Sequence, residues 1–521
     1  ANNSAGSSAY TSEATATTQA VAGFTISSTT ATVRESGVRS DTLWMRSIGD
    51  MTKSANAVTG RIKLDRITID SEMNVITVGY TEKDTVITGL GQADMLMMKH
   101  GPSGEIVWQK QFGSSGFDEI VDVALDTSDN IYVFGYTSEV SGGTFDGVTI
   151  SKAGSSNSPL WLLIKFNKDG NRQWITQIDK TASTSLGKPK AMDVEGSGIY
   201  IAGYSRADET ILVEKYDLNG VKQGSTVNIT PPTDSGFTTQ RPYVRDLEAT
   251  SGGVYVATAR YKSVSGTELR RSKLTKIDNN LSGIVWEFQY SGNYNFTAVT
   301  EMPNGNILTQ LHSDTTDQLI NIYNSSGTLV NSSAANQGNT NRRHATSSNY
   351  DSLTADSANN ILFYQLDLSN RRKPYLVKYD SSLNFVNEKK VPPNFEPRGI
   401  SIRQNSAGEE FIYSVGQHES SWNHGHAYGE FTNSYKPGQI ARISNNSVAP
   451  VSSTPGYAEI TIGLNTVSTH TVFVCPKYSG SYITTGTVSD ELAVHPAGPM
   501  NLTVPSNGTA FYRNSCLAIR E

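Results

Sequence analysis

The sequence predicts an all-β protein built mainly from a four-stranded unit that repeats along the chain. Short apolar stretches of strand length alternate with turns rich in Gly, Asn, Asp and Ser, and no stretch shows the i, i+3, i+4 apolar spacing of a helix. The 9% aromatic content, with 24 Tyr, also favours strands. The strongest signal is that two different hairpin patterns recur in alternation.

The first hairpin pattern is an apolar strand, a turn that ends in Asn or Gly, and a second apolar strand. Its copies run over residues 67–81, 123–137 and 192–205, with weaker ones at 247–260, 299–311, 353–366 and 400–416. The residue before the second strand recurs every 50 to 68 residues or so. A period of this length is typical of solenoid or propeller arrays.

A second hairpin pattern lies between these copies, with turns such as Asn167–Gly170 that tolerate a positive φ. It occurs at residues 95–108, 160–174, 211–224, 272–286, 319–330, 375–386 and 439–448. Seven copies of each hairpin give seven units of four antiparallel strands, which is the plan of a seven-bladed β-propeller. A stacked β-solenoid fits less well, because its coils are shorter.

The N-terminal side of the repeats contains an unpaired strand pattern. Leu43–Gly49 matches the outer-strand segments Val107–Gly113 and Gln173–Asp179, yet no hairpin of its own precedes it. We therefore expect residues 42–49 or so to complete the seventh blade, which removes exposed sheet edges. The tryptophans that recur at equivalent places are predicted to be structural: Trp44, Trp108, Trp174 and Trp286.

The segment Asp126–Thr137 has the form Asp-x-x-x-Asn-Ile-Tyr-Val-x-Gly-Tyr-Thr. This form resembles the β-propeller repeat of bacterial and phage proteins, found in large secreted and surface proteins. The resemblance covers roughly residues 42–450, strongly in the first three units and faintly in the last four. It implies a propeller with an adhesive or scaffolding use, and it implies neither a defined catalytic site nor a cofactor.

Three regions are expected: residues 1–40 as a Ser/Thr-rich arm, 41–450 as the propeller, and 451–521 as a small C-terminal β-sandwich or barrel. The first region is either an extended arm that docks or a flexible tail. Cys475 and Cys516 both fall in the C-terminal region. The sequence leaves two alternatives for this pair, a disulfide bridge or two unpaired buried thiols.

The motifs of common catalytic and metal sites are absent from the sequence. One cluster stands out, in residues 417–430, where His424 and His426 would point to the same side of a strand and form a weak metal candidate. Trp422 and Tyr428 make the same segment a candidate binding loop. A solvated loop is the third alternative, and no metal or cofactor is predicted.

A second candidate is basic: Arg342 and Arg343, with further basic residues at 371–373. These residues are either ordinary loop charges or a site for an anionic glycan or an anionic partner.

The composition narrows the function classes. Only 18% of residues are charged, the formal net charge is −6, and no basic stripe for nucleic acid is evident. No apolar run reaches the roughly 18–20 residues of a membrane span. We expect a non-enzymatic structural or adhesion protein of a phage virion (tail, fibre or capsid-attached), in a symmetric assembly with other virion or surface proteins and in contact with a host glycan or receptor. The alternatives are a secreted bacterial surface adhesin and a glycan-active propeller enzyme.

Overall fold

The structure is a computed structural model of the 521-residue chain. It describes residues 61–416 apart from short gaps, and outside that range it describes strand segments only. The gaps are residues 83–89, 103, 153–157, 180–185, 206–208, 233–241, 265–266, 291–293, 313–317, 335–341, 345–352, 368–372, 391–394 and 407. Within these described residues there is no helix with the length and apolarity that a bilayer crossing requires.

Strands account for the regular structure of the described residues, and three of them precede the first repeated sheet: β1 (Glu13–Thr17), β2 (Thr30–Ser36) and β3 (Thr42–Ile48). The first repeated sheet contains β4 (Arg61–Ile69), β5 (Val75–Glu82), β6 (Asp94–His100) and β7 (Ile106–Phe112). The next contains β8 (Asp118–Leu125), β9 (Ile131–Thr137), β12 (Leu160–Phe166) and β13 (Arg172–Ile178), with the inserted hairpin β10 (Thr144–Phe145) and β11 (Val148–Thr149).

The following three sheets repeat this plan, each as an antiparallel meander in sequence order. The third contains β14 (Leu186–Glu195), β15 (Gly198–Ser205), β16 (Ile211–Asp217) and β17 (Lys222–Ile229). The fourth contains β18 (Tyr243–Thr250), β19 (Gly253–Val264), β20 (Thr267–Ile277) and β21 (Ile284–Tyr290). The fifth contains β22 (Asn295–Glu301), β23 (Ile307–His312), β24 (Gln318–Tyr323) and β25 (Leu329–Ala334).

The next unit departs from the plan. It has five strands: β26 (Arg342–His344), β27 (Leu353–Ala355), β28 (Ile361–Asp367), β29 (Lys373–Tyr379) and β30 (Phe385–Lys390). Two short strands, β26 and β27, pair with different halves of β28, so the place of one first strand is divided between them. The prediction of seven four-stranded blades is therefore wrong: the described residues form six regular four-stranded blades, and this unit is not one of them.

The sixth regular sheet joins distant parts of the chain. Its strands are β31 (Phe395–Gln404), β32 (Glu410–His418), β33 (Gly438–Ser444) and the early strand β3, in the order β3-β33-β32-β31. Thr42 lies opposite Ile443, and Ile48 lies opposite Gly438. The pairing that the sequence predicts for residues 42–49 is therefore present over Thr42–Ile48.

The remaining strands form two further sheets. They are β34 (Tyr457–Thr461), β35 (Ser468–Val474), β36 (Tyr482–Thr484), β37 (Thr487–Val488), β38 (Pro499–Val504), β39 (Thr509–Tyr512) and β40 (Leu517–Arg520). One sheet has the order β1-β2-β34-β39-β36-β37, and the other has the order β38-β35-β40. One strand of the N-terminal 40 residues, β2, thus pairs with β34 of the C-terminal region, and β1 joins the same sheet by pairing with β2. Cys475 and Cys516 lie outside the described residues.

The Asp-x-x-x-Asn pattern of the repeat builds the turn between the first two strands of a sheet. Asp126 Oδ1 accepts hydrogen bonds from the backbone N–H groups of Ser128 and Asn130, both at 2.9 Å, and its Oδ2 accepts from Asn130 Nδ2 at 2.8 Å. The residue between them, Asp129, has a φ of 60°. The same bonds recur at Asp70 with Asn74 and at Asp356 with Asn360. Short polar side chains that bond their own turn explain this spacing.

Apolar cores lie between neighbouring sheets rather than in one central core. Val78 and Met97 of the first sheet pack with Val133 and Leu162 of the second, and all four are fully buried. Tyr413 of the last regular sheet packs in the same way against the first sheet. Strands with both faces buried need continuous apolar runs, which is why the second and third strands read as unbroken apolar segments.

The first strands of successive sheets contact one another around a closed path: β4, β8, β14, β18, β22, β27, β31 and again β4. Each sheet therefore projects outward from an axis, with its first strand innermost and its fourth strand outermost. This arrangement is a β-propeller.

Candidate functional site

The first strands share a backbone irregularity at one level of the channel. In six of them a β-bulge inserts one unpaired residue, and these residues are Asp65, Val121, Lys190, Arg245, Thr297 and Arg398. A bulge bends the strand and redirects a side chain, and bulges are frequent beside functional sites. Four of the six inserted residues are charged, so the bulges place charge at the same level of the ring.

The glycine of the Gly-Tyr motif lies opposite the bulge in the first two sheets. A Cβ on Gly79 would clash with the carbonyl oxygen of Lys63, and a Cβ on Gly135 would clash with that of Glu119. The bulged strand therefore approaches its neighbour more closely than any residue with a side chain permits. This close approach gives a physical reason for the glycine in the repeat.

We call the charged residues at and beside the bulges the channel cluster. They are Lys63, Asp65, Arg66, Glu119, Asp122, Lys188, Lys190, Arg245, Asp246 and Arg398. Six of these side chains are basic and four are acidic. The cluster spans the first strands of five successive sheets, from β31 to β18.

Asp65 joins the first and last regular sheets. Its carboxylate lies 2.8 Å from Lys63 Nζ and 3.1 Å from Arg398 Nη1. Burial alone would raise the pKa of Asp65, but the positive charges of Lys63 and Arg398 outweigh it and hold the pKa below its ordinary value. Asp65 therefore stays ionised and ties the two sheets together inside the ring.

Two other carboxylates bond the backbone of the next sheet. Asp122 lies 3.5 Å from Arg66 Nε, and its Oδ2 accepts the N–H of Met192 on β14 at 2.9 Å. Asp246 Oδ2 accepts the N–H of Val299 on β22 at 2.7 Å. Bulged strands leave backbone donors without a ladder partner, and these carboxylates satisfy such donors across the sheet boundary.

Glu119 is shared by several groups. Its carboxylate lies 3.9 Å from Lys63 Nζ and 3.4 Å from Lys188 Nζ, and it accepts the Tyr136 hydroxyl at 2.7 Å. The Lys188 ammonium also lies 4.7 Å from the centre of the Tyr136 ring. Burial and the Glu119 charge raise the pKa of Tyr136, so its hydroxyl remains a donor.

Lys190 differs from the other members of the cluster. It is half-buried, and in the described part of the chain its ammonium forms no hydrogen bond and no ion pair. Burial lowers its pKa to about 8; Glu119 opposes this shift, whereas Arg245, Lys188 and Arg66 add to it. The amine thus sits among three cations and one acid that is already engaged.

A cavity of about 400 Å³ lies where the first strands end, at the opposite level of the ring. Its walls include Ile69 of β4, Leu125 of β8, Asp193 of β14 and Arg403 of β31. Arg403 Nη1 donates to the carbonyl oxygen of Ile69 at 3.1 Å. The channel therefore has a mainly basic level at the bulges and a cavity lined by both acidic and basic residues at this end.

A buried acidic group lies between the first two sheets. The Asp118 carboxylate accepts the backbone N–H of Ser114 at 2.6 Å and its hydroxyl at 2.9 Å. Burial, together with the nearby charge of Asp94, raises the pKa of Asp118 to about 6, although the hydrogen bonds oppose this shift. Among the described residues, no group of three or more His, Cys, Asp or Glu is placed to hold a metal ion.

The described residues include only two of the predicted binding residues, Arg342 and Arg343. Trp422, His424, His426 and Tyr428 lie outside the described residues. Arg342 and Arg343 do not lie in a loop but on β26, opposite Asp367 and Leu366, and their side chains are not described.

All four repeated tryptophans lie on outer strands: Trp44 lies on β3, and the other three lie on β7, β13 and β21, each against the turn of the next sheet. Trp108 contacts the turn at Gly170, Trp174 contacts Gly220 and Trp286 contacts Gly327, and all three glycines have a positive φ.

The channel cluster was missed by sequence reasoning, although a signal for it exists. Charged residues interrupt first strands that are otherwise apolar, as in Leu64–Ile67, Lys188–Met192 and Val244–Leu247. A charge at a fixed place in an inner strand predicts a bulge or a channel-facing side chain. The signal appears only after the units are aligned, because each unit contributes only a few charges.

These features define a β-propeller protein with a charged channel. No family model matches the chain, and no curated protein matches it. Similar solved structures include the Dos1 propeller (8% identity, 77% of this chain and 96% of that one, TM-score 0.41) and the Neurospora crassa Pan2 WD40 domain (11%, 74% and 90%, 0.38). Kuenenia stuttgartiensis hydrazine synthase is also similar (9%, 67% and 92%, 0.41). The fold class follows from the sheet topology, and these likenesses carry no inference about function.

Proposed function

We propose that the chain is a non-enzymatic structural and adhesion protein that works in a symmetric assembly, as a tail, fibre or capsid-attached component of a phage virion. We also propose that the five-stranded unit serves as a seventh blade, and the contacts of β27 with β22 and with β31 support this. The low charge content and the Ser/Thr-rich composition support a role outside a cell.

An exposed apolar rim on the outer strands is the observation that carries this proposal. Four outer strands begin with two exposed apolar residues each: Ile106 and Val107, Ile284 and Val285, Leu329 and Val330, and Phe385 and Val386. Three of these strands, β21, β25 and β30, belong to successive sheets. Val285 is 56% exposed and Val330 57% exposed. Apolar side chains grouped on a surface favour protein contacts over free solution.

The virion role is tested by mass spectrometry of purified particles from the source culture. We expect many copies of the chain per particle. Recovery only from a cell-envelope fraction, with a leader cleaved from the precursor, would favour the secreted adhesin instead. Turnover on a panel of glycans would overturn the non-enzymatic part of the proposal.

The rim itself is tested with the double variant Leu329→Lys, Val330→Lys. Two charges on an apolar contact surface should abolish chemical cross-links between this chain and its neighbours in the particle. Val221→Lys is the control. Val221 is as exposed as Val330, but it lies just before β17, between Gly220 and Lys222, and not beside a second exposed apolar residue in the sequence. Unchanged cross-links in the double variant would remove the rim from the contact surface.

A further inference from the structure

The bulges of the third and fourth sheets concentrate positive charge at one point of the channel. Lys190 is the inserted residue of β14, and Arg245 is the inserted residue of β18. Lys188 and Arg66 also act electrostatically on Lys190, each as a like charge. Four cations therefore meet where the first strands of neighbouring sheets converge.

The acids near this point are already engaged. Glu119 is the acid whose negative charge acts on Lys190 against the neighbouring cations. Its carboxylate is already in contact with Lys63, Lys188 and the Tyr136 hydroxyl. Asp122 and Asp246 each accept a backbone N–H from the next sheet.

The Lys190 ammonium itself forms no hydrogen bond and no ion pair with any described residue. A charged group that loses part of its hydration without gaining a partner is unfavourable. The neighbouring cations make the local potential more positive still. An anion from solution would restore the lost interactions and would neutralise the repulsion between Lys190 and Arg245.

We propose that the channel contains a binding site for an oxyanion group, with Lys190 as its principal donor and Arg245 and Lys188 beside it. Carboxylate, sulfate and phosphate share the chemistry that this site fits, because each offers several acceptor oxygens to ammonium and guanidinium donors. The site is independent of the assembly role, since it lies at the axis and the apolar rim lies at the perimeter.

The test uses the full chain at pH 7 with sodium sulfate, sodium phosphate or sodium glucuronate, and sodium chloride at matched ionic strength. Calorimetry and thermal unfolding should show that at least one oxyanion binds and raises Tm more than chloride does. Binding of all three indicates a general oxyanion site, and binding of glucuronate alone indicates the acidic group of a sugar. No difference from chloride would overturn the proposal.

Substitutions assign the site to its residue. Lys190→Met should weaken binding at least tenfold, whereas Lys168→Met, at an exposed lysine on another hairpin, should leave it unchanged. Equal affinity in wild type and Lys190→Met would exclude Lys190 as the donor. Lys190→Arg keeps the charge and should retain binding. Retained binding would show that the chain tolerates a substitution at this position and still folds.

The pH dependence provides a separate readout. The amine is mostly protonated at pH 7 and mostly neutral at pH 9.5, because its pKa is about 8. If the ammonium form alone binds, sulfate affinity falls about thirtyfold between these pH values. Lys190→Arg should not show this fall, because a guanidinium stays charged. If sulfate affinity of the wild type were as independent of pH as that of Lys190→Arg, Lys190 would not be the donor.

Discussion

The inner and outer strands of the same sheets differ in which side chains they bury and which they expose. At the inner end, first strands bury charged residues such as Asp65 and Asp122, and each carboxylate has partners on a neighbouring sheet. At the outer end, fourth strands leave apolar residues such as Val285 and Val330 more than half exposed. The inner charges hold the ring together, whereas the outer apolar residues contribute little to it. Loss of an inner charge should therefore cost far more stability than a change at the rim.

The largest effect is expected from Asp122→Ala. The substitution leaves Arg66 and the Met192 N–H buried without this carboxylate, and breaking a buried pair in this way costs about 3–5 kcal/mol. Urea unfolding measures the change in free energy. The control is Lys168→Ala, which removes an exposed ion pair with Glu72 and should cost no more than about 0.5 kcal/mol. Similar losses of stability for the two variants would show that the buried inner charges contribute no more than an exposed ion pair.

A smaller loss is expected from Gly135→Ala. The added Cβ would clash with the backbone of the bulged strand, and overpacking of this kind costs about 1–3 kcal/mol. Gly305→Ala is the matched control, because its φ is 81° but its Cβ would meet nothing within 4 Å. Backbone strain alone should then cost about 1 kcal/mol. If thermal unfolding shows that Gly305→Ala loses more stability than Gly135→Ala, the close approach of the bulged strand is not the reason for the motif glycine.

The pH dependence of stability should report Asp118. Its pKa is raised from 3.8 to about 6, so the folded state holds a proton that the unfolded state releases. This contribution is fully present below pH 3.8 and is lost as pH rises through 6, by about 2–3 kcal/mol at most. Asp118→Asn cannot titrate, so the stability difference between the two proteins should change between pH 4.5 and pH 7.5. A constant difference would show that Asp118 titrates normally.

The smallest effect is expected from Val330→Thr at the rim. Exposed substitutions of this kind change the free energy of unfolding by about 0.5 kcal/mol or less. Urea unfolding of the isolated chain measures it. A loss above 2 kcal/mol would mean that Val330 is part of the core of its sheet and that the apolar rim is not a free surface.

Local patterns in the sequence were sufficient to predict the hairpins. The turns at Asp126 and Asp356 carry their own hydrogen bonds, so each can be recognised within a few residues. The closing strand was also predictable, because Leu43–Gly49 repeats a pattern that has no local partner.

The irregular unit and the channel cluster were not predicted, for a common physical reason. Arg342–His344 pairs with the far half of β28, and nothing in those residues signals that partner. Likewise, Asp65 and Arg398 meet only when the ring closes, across most of the chain. The charges that interrupt the first strands recur in the sequence, but the sequence does not show which of them meet across the ring. The predicted binding residues from Trp422 to Tyr428 stay a prediction.

The pairing of β3 with β33 also determines when the ring can close during synthesis. Thr42 leaves the ribosome about 400 residues before its partner Ile443, so the first strand of the propeller must wait for the last strand of the propeller. Until then β3 and β32 each carry a free edge, which is open to pairing with another chain. Because so long a loop must close, we expect this pairing to be the slow step of folding. A nascent chain halted before Gly438 should therefore be the form most prone to aggregate.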